Sequence, residues 1–297
     1  MNCITIILLF LSFVALCPAG IAQNYRPESD GEIVEHTYYT LSYSEEDEQA
    51  EWVYYVLTPE MVSGSAKRTD NFREDSKISS GSAVLKDYVG SGYDRGHLAP
   101  AASMSINHTA MSESFYLSNM SPQKPSFNRG AWKNLETVVR NWALKYDKIY
   151  VVTGPILDNP IGTIGVNEVT VPRAYYKVVY VPNEKMIALV MPNEKIDKPL
   201  YYYAVEVDEV ESITGVDFFV SLNDEQEDKF ESSINVSDWH FDTYNNVSKS
   251  KNNPIAVKVR CKGCAKSTGV RCKTTTTNPN GYCHHHQNQI GKIDMSK

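Results

Sequence analysis

Ser91–Pro100 reads SGYDRGHLAP, which places Asp94, Arg95 and His97 within four residues, between Gly92 and Pro100. The flanking residues mark a turn leading into a strand, and the period-two alternation of a strand sets Arg95 and His97 on one face and Asp94 on the other. An unperturbed imidazole has a pKa of about 6.5, so at neutral pH His97 is mostly neutral and able to accept a proton. A guanidinium two residues away on the same face is suited to holding a phosphate oxygen. Asp94, on the opposite face, is expected to anchor the turn. Taken singly, each residue also has an ordinary structural reading, His97 as a surface histidine among them.

The segment that complements this hairpin lies downstream. In NRGAWKNLETVVRNWALKYDK the apolar residues Trp132, Leu135, Val139, Trp142 and Tyr146 recur at steps of three and four, which predicts an amphipathic helix. Asn128 stands where an asparagine caps a helix, and its amide oxygen is also a hard ligand suited to Mg²⁺. Glu136 lies two turns further on, placed to hold metal-bound waters, with Arg140 four residues later placed to orient it or to meet substrate. The alternatives are a plain N-cap and an exposed i,i+4 pair. EWVYYVLTPEMV (Glu51–Val62), KIYVVTGPI stopping at Gly154-Pro155, RAYYKVVYV and KMIALVM read as strands, and YAVEVDEVESITG reads as a helix ended by Gly215. Strands in runs with few intervening helices predict an α+β domain with a mainly antiparallel central sheet and flanking helices, spanning residues 51–247. Residues 23–50, ending in the run SEEDEQAEW, are expected to be an acidic exposed lead-in.

The 297 residues are 42% apolar and 11% aromatic, enough for a sizeable core. Residues 1–22 have the apolar run and small-residue end of a secretory signal peptide, with cleavage expected before Gln23. This predicts an exported protein, secreted or periplasmic, with no membrane partner once the signal is removed. Pro254–Lys297 holds eight Lys/Arg and one acidic residue, a net +7, which leaves −14 on the rest of the chain and −7 overall. So acidic a body argues against a broad nucleic-acid groove, although not against a local basic patch. From residue 248 the composition shifts to Lys, Asn, Thr, Cys and His. Cys261, Cys264, Cys272, Cys283 and His286 have the spacing of soft ligands for a structural Zn²⁺, and two disulfides are the alternative. A module of this size needs one staple or the other.

The motifs DRGHLAP, FYLSNMSPQ, FNRGAWKNLE and VVTGP occur in the order found in the DNA/RNA non-specific endonucleases, and the stretch from about Trp52 to Val220 resembles that family, nearest to its endonuclease G branch. The resemblance implies a ββα-metal (His-Me finger) nuclease acting on DNA and RNA and leaving 5′-phosphate ends. It implies His97 as general base, Asn128 as the direct Mg²⁺ ligand with Mn²⁺ as a substitute, and Glu136 as the residue holding the metal's waters. Arg95 falls beside the scissile phosphate, Asn119 helps to arrange the site, and Arg68 matches a further phosphate-binding arginine. A homodimer and an inhibitor protein are left open. The rival readings are a catalytically silent nuclease-like scaffold whose basic Cys/His tail binds nucleic acid or another partner, and a phosphodiesterase for small substrates on the same fold.

Overall fold

The computed structural model describes residues 25–242, together with the backbone of Val259–Arg260 and Thr275–Thr276. The chain begins with an antiparallel meander of β1 (Glu32–Glu35), β2 (Thr40–Ser44) and β3 (Gln49–Leu57), followed by single-turn helices α1 (Pro59–Val62) and α2 (Leu85–Tyr88). Next come β4 (Asp94–His97), α3 (His108–Glu113), β5 (Met120–Gln123), a short turn α4 (Pro125–Phe127) and the long helix α5 (Lys133–Tyr146). Beyond it run β6 (Ile149–Ile156), the small hairpin of β7 (Gly162–Ile164) and β8 (Val169–Val171), then β9 (Ala174–Val181), β10 (Lys185–Pro192) and β11 (Ala204–Val205). Helices α6 (Val207–Thr214) and α7 (Asp224–Glu231) complete the body, and β12 (Val259–Arg260) pairs antiparallel with β13 (Thr275–Thr276).

The main sheet has the order β1-β2-β3-β6-β9-β10-β11, and each neighbouring pair is antiparallel. Its inner strands are apolar on both faces because helices cover both. Alternation sends Val151, Tyr175 and Val179 towards α5, where Trp132, Leu135, Val139 and Trp142 are buried, each worth roughly 2–3 kcal/mol of apolar burial. Their neighbours Val152, Tyr176 and Val178 face the other way, against Val207, Val210 and Phe218 of the α6 side. Gly215 ends α6 at φ +71°, the left-handed conformation a C-terminal glycine supplies at little cost. The architecture is α+β, as expected. Among the described residues no helix is long and apolar enough to cross a membrane.

The expected lead-in is corrected. Residues 32–50 are not an exposed preface: they form β1, β2 and the start of β3, and Leu41, Tyr43 and Ala50 are buried in the core. The acidic run misleads because it supplies the tight turn of the β2–β3 hairpin, with Glu48 at φ +54°. Two boundaries also move. The strand expected over Glu51–Val62 gives way to α1 at Pro59, and β6 continues through Gly154-Pro155 to Ile156.

Candidate active site

The antiparallel pair of β4 and β5, connected through α3, lies beside the start of α5 and carries the candidate site. Its register pairs Asp94 with Gln123, Gly96 with Ser121 and His97 with Met120. Gly96 is needed between Arg95 and His97, because a Cβ there would lie 2.2 Å from Cδ of the buried Gln123 side chain. Asn119 braces the strand's exit: its Oδ1 accepts from the Ala99 N–H at 2.8 Å, and its Nδ2 donates to the carbonyls of Ala99 (3.0 Å) and Ser114 (2.8 Å). With these atoms spent on backbone and the side chain fully buried, Asn119 braces the backbone and does not line the cleft of Arg68 and Arg95. The Trp132 indole donates to the His97 carbonyl at 3.4 Å, tying β4 to the helix side.

His97 is 9% exposed, and its Nε2 is buried without a hydrogen-bond partner. The ring packs edge-on to Phe115 at 4.9 Å and against Phe72 at 5.8 Å between centroids. The guanidinium of Arg95 lies 4.0 Å over the Phe72 ring and that of Arg68 lies 4.7 Å over the Phe115 ring. Two cations are thus held by the same two rings that enclose the imidazole. Burial, then Arg68 and Arg95, push His97 down to about 3, so the ring is neutral at physiological pH.

Asn128 does not cap the long helix as expected. A wide turn runs from Asn128 to Trp132, with Gly130 outside helical conformation (φ −107°, ψ −109°), and α5 starts only at Lys133. The Asn128 side chain instead donates from Nδ2 to Asp94 Oδ2 at 2.9 Å. Arg129 grips the same carboxylate with Nε at 2.8 Å and Nη2 at 2.6 Å. Burial works to raise Asp94, but the hydrogen bonds from Arg129 and Asn128 outweigh it and hold the group below the usual carboxylate range. Asp94 is therefore the anchor that fixes Asn128 beside β4.

Arg68, Asp70, Phe72, Asp94, Arg95 and Asn128 are among the residues lining one cleft of about 390 Å³, where Arg68 pairs with Asp70 at 2.6 Å; His97 and Glu136 lie outside its lining. A larger cleft of about 580 Å³ carries Glu28, Asp30, Asp47, Glu51, Asp158 and Asp217, a lining that repels a polyanion. Glu136, half-buried on α5, is raised by burial and opposed by Lys177, Arg140 and Arg68. Arg140 lies outside the cleft-lining set: its Nη2 donates to Thr137 Oγ1 at 2.9 Å, and its Nη1 is buried without a partner. Its charge acts on Glu136 from within the fold.

Three features escaped the sequence reading. Phe72 and Phe115 form the aromatic enclosure, and Lys177 is a fully buried ammonium on the α5 face of the sheet. Lys177 Nζ lies 4.9 Å from the Trp132 ring, hydrogen-bonds Thr153 Oγ1, and is lowered by burial against the pull of Glu136. Its signal was a lone lysine inside the otherwise apolar AYYKVVYV. The candidate zinc ligands Cys261, Cys264, Cys272, Cys283 and His286 lie outside the described residues, as does the expected signal peptide.

The donor set fits a hard divalent ion. Asn128 offers a neutral amide oxygen on the cleft, its Nδ2 being spent on Asp94, and Glu136 offers a carboxylate on the adjoining helix.

Comparison with known proteins agrees with this geometry. A sequence model of the DNA/RNA non-specific endonuclease family matches residues 17–225. A nuclease from Nostoc sp. is 33% identical over 232 residues, covering 73% of this chain and 83% of that protein. Human mitochondrial endonuclease G is 36% identical over 221 residues, covering 68% and 71% respectively. The crystal structure of an EndoG/EndoGI complex contains a chain that superimposes with a TM-score of 0.61 at 36% identity, covering 66% of this chain and 89% of that one. With a ββα arrangement around His97 and a family match across most of its length, the chain belongs to the DNA/RNA non-specific endonuclease family and is an endonuclease.

Proposed function

We propose that the protein is an exported, Mg²⁺-dependent, sugar-non-specific endonuclease that cleaves DNA and RNA to 5′-phosphate ends, with His97 as its general base. The observation that carries this reading is the neutral, buried His97, with an unpartnered Nε2, beside a cleft that gathers Arg68, Arg95 and Asn128. In the reaction His97 takes a proton from the water that attacks phosphorus in line with the departing 3′-oxygen. Arg95 and Arg68 hold non-bridging oxygens and stabilise the charge that develops on them, an effect strengthened by the dry aromatic wall behind them. Asn128 would hold the ion and Glu136 would support it from α5, while Lys177 and Arg140 favour the ionised form of Glu136. When bound, the ion supplies Lewis-acid stabilisation of the phosphoryl oxygens. Residues 1–22 act as the export signal, and residues 248–297 form a separate basic module stapled by zinc or disulfides.

The test is digestion of supercoiled plasmid and of structured RNA by protein starting at Gln23, in Mg²⁺ and in EDTA, beside His97→Ala. Cleavage of both substrates, abolished by EDTA and reduced at least ~100-fold in the variant, is expected, since general-base catalysis contributes about 10²–10⁴. If wild type and variant are equally inert while both still bind nucleic acid, the catalytic reading fails and the tail becomes the functional part.

A further inference from the structure

On the face of the sheet opposite His97, α6 and α7 bring three carboxylates together. One oxygen each from Asp208, Glu211 and Glu231 lies within 4.8 Å of the other two. Asp208 is exposed in the first turn of α6, Glu211 is half-buried one turn later, and Glu231 is the last residue of α7. Among the described residues, no Lys or Arg forms an ion pair with any of the three. Such a cluster on a protein surface would mean little by itself. The independent observation is Glu231: it is only 2% exposed, and its Oε1 is buried with no hydrogen-bond partner.

That placement is costly for a carboxylate left alone. A buried ionised oxygen without a donor loses its hydration uncompensated. Glu231 also sits at the C-terminal end of its helix, where the macrodipole disfavours negative charge. Burial, reinforced by Glu211 and Glu227, pushes Glu231 up to about 9. The neighbouring Glu211 has one oxygen occupied by the Phe218 N–H at 2.9 Å, which fixes its side chain without neutralising it.

We propose that Asp208, Glu211 and Glu231 form a second cation site, separate from the nuclease centre, which takes Ca²⁺ and clasps α6 to α7. An all-oxygen donor set selects a hard ion over a thiolate- or imidazole-seeking one. Ca²⁺, with oxygen bonds of 2.3–2.6 Å and flexible coordination, suits carboxylates held apart on two helices better than Mg²⁺, which holds its ligands at 2.0–2.1 Å in a near-ideal octahedron. Asp208 supplies the solvent-side ligand, leaving room for waters to complete the shell, while Glu231 supplies the buried one.

The experiment uses the full chain carrying Asn128→Ala, so that an ion at the nuclease centre is not counted. Thermal unfolding is followed in EDTA and then with saturating Ca²⁺ or Mg²⁺, with one-to-one binding checked by calorimetric titration of Ca²⁺. Ca²⁺ at a hundred times its Kd is expected to raise Tm by ~5–10 °C, with a smaller rise for Mg²⁺. Glu231→Gln, which keeps the buried shape, and Asp208→Asn, at an exposed position with little folding risk, should each abolish most of the Ca²⁺ shift. The proposal is overturned if Ca²⁺ gives no shift in the parent, or an equal shift in both variants. It is also overturned if Glu231→Gln raises Tm in EDTA and leaves the Ca²⁺ response intact, since Glu231 is then an uncharged core residue.

Discussion

His97 is a weak base in the free site, at about 3, because burial and then Arg68 and Arg95 all disfavour its protonated form. A general base works best with a pKa near the operating pH. In the proposed reaction a phosphate held by the two arginines would offset their charge, so substrate binding would itself raise the basicity of the ring. Two consequences can be measured in pH–rate profiles. The acid limb of kcat/KM, which reports the free enzyme, should lie well below the ordinary histidine value of about 6.5, and the limb of kcat should lie at a higher pH than that of kcat/KM. Arg68→Ala removes one positive charge, makes protonation easier, and should shift the kcat/KM limb to higher pH. Activity of the variant is then lost earlier as pH falls. Burial, the larger cause, keeps the shifted limb below about 6.5. A limb that stays in place, or moves down, would remove Arg68 from the electrostatics of the base.

The β4–β5 pair determines where His97 stands, and its tolerance is small. Gly96→Ala would drive a methyl to 2.2 Å from Gln123 Cδ, inside a pair of strands with no free volume. Overpacking of this kind costs ~1–3 kcal/mol, or a Tm loss of roughly 2–12 °C for a domain of this size. A displacement of His97 by about 1 Å should cost a further ~100-fold in rate. Thermal unfolding and kcat measured on the same sample test both; unchanged kcat in a folded variant would mean that the strand pair does not set the base's position. Much at this scale was legible in the sequence. The 3–4 spacing from Trp132 to Tyr146 marked α5, the apolar runs closed by Gly-Pro and Pro-Asn turn signals marked β6, β9 and β10, and the short motif marked Arg95 and His97. What was not legible depended on contacts distant in the chain. The acidic run before β3 is a hairpin turn whose flanking residues are buried, and composition alone could not separate that from an exposed leader. The break at Gly130, which frees Asn128 from capping and turns it to Asp94, follows from tertiary packing against β4. Phe72 lies in a polar loop, Phe115 beside a short helix and Lys177 in an apolar strand, and only the fold brings the two rings around His97 and the lysine near Glu136.

At the scale of the whole molecule, charge is arranged against its substrate. The chain before Pro254 carries −14, and its larger cleft is lined by carboxylates. The cleft beside His97 presents Arg95, stacked on Phe72, and Arg68, which a phosphate must win from Asp70 at 2.6 Å, while Arg129 is committed to Asp94. Binding that neutralises about two phosphates should weaken by roughly tenfold between 50 and 200 mM salt, from a slope of about −0.9 per phosphate on duplex DNA. The tail from Pro254 carries +7, and every lysine or arginine of it that meets a phosphate steepens that slope by about one. The full chain should therefore show a steeper fall of affinity with salt than a variant in which the eight tail Lys/Arg are replaced by Gln. The variant's slope should be near −2, and its kcat at saturating DNA should equal that of the full chain. KM for plasmid DNA across a salt series checks this. Equal slopes would mean that the acidic body holds the substrate through the cleft alone and that the tail's charge only solvates it. A variant with lower kcat would mean that the tail acts on the chemical step.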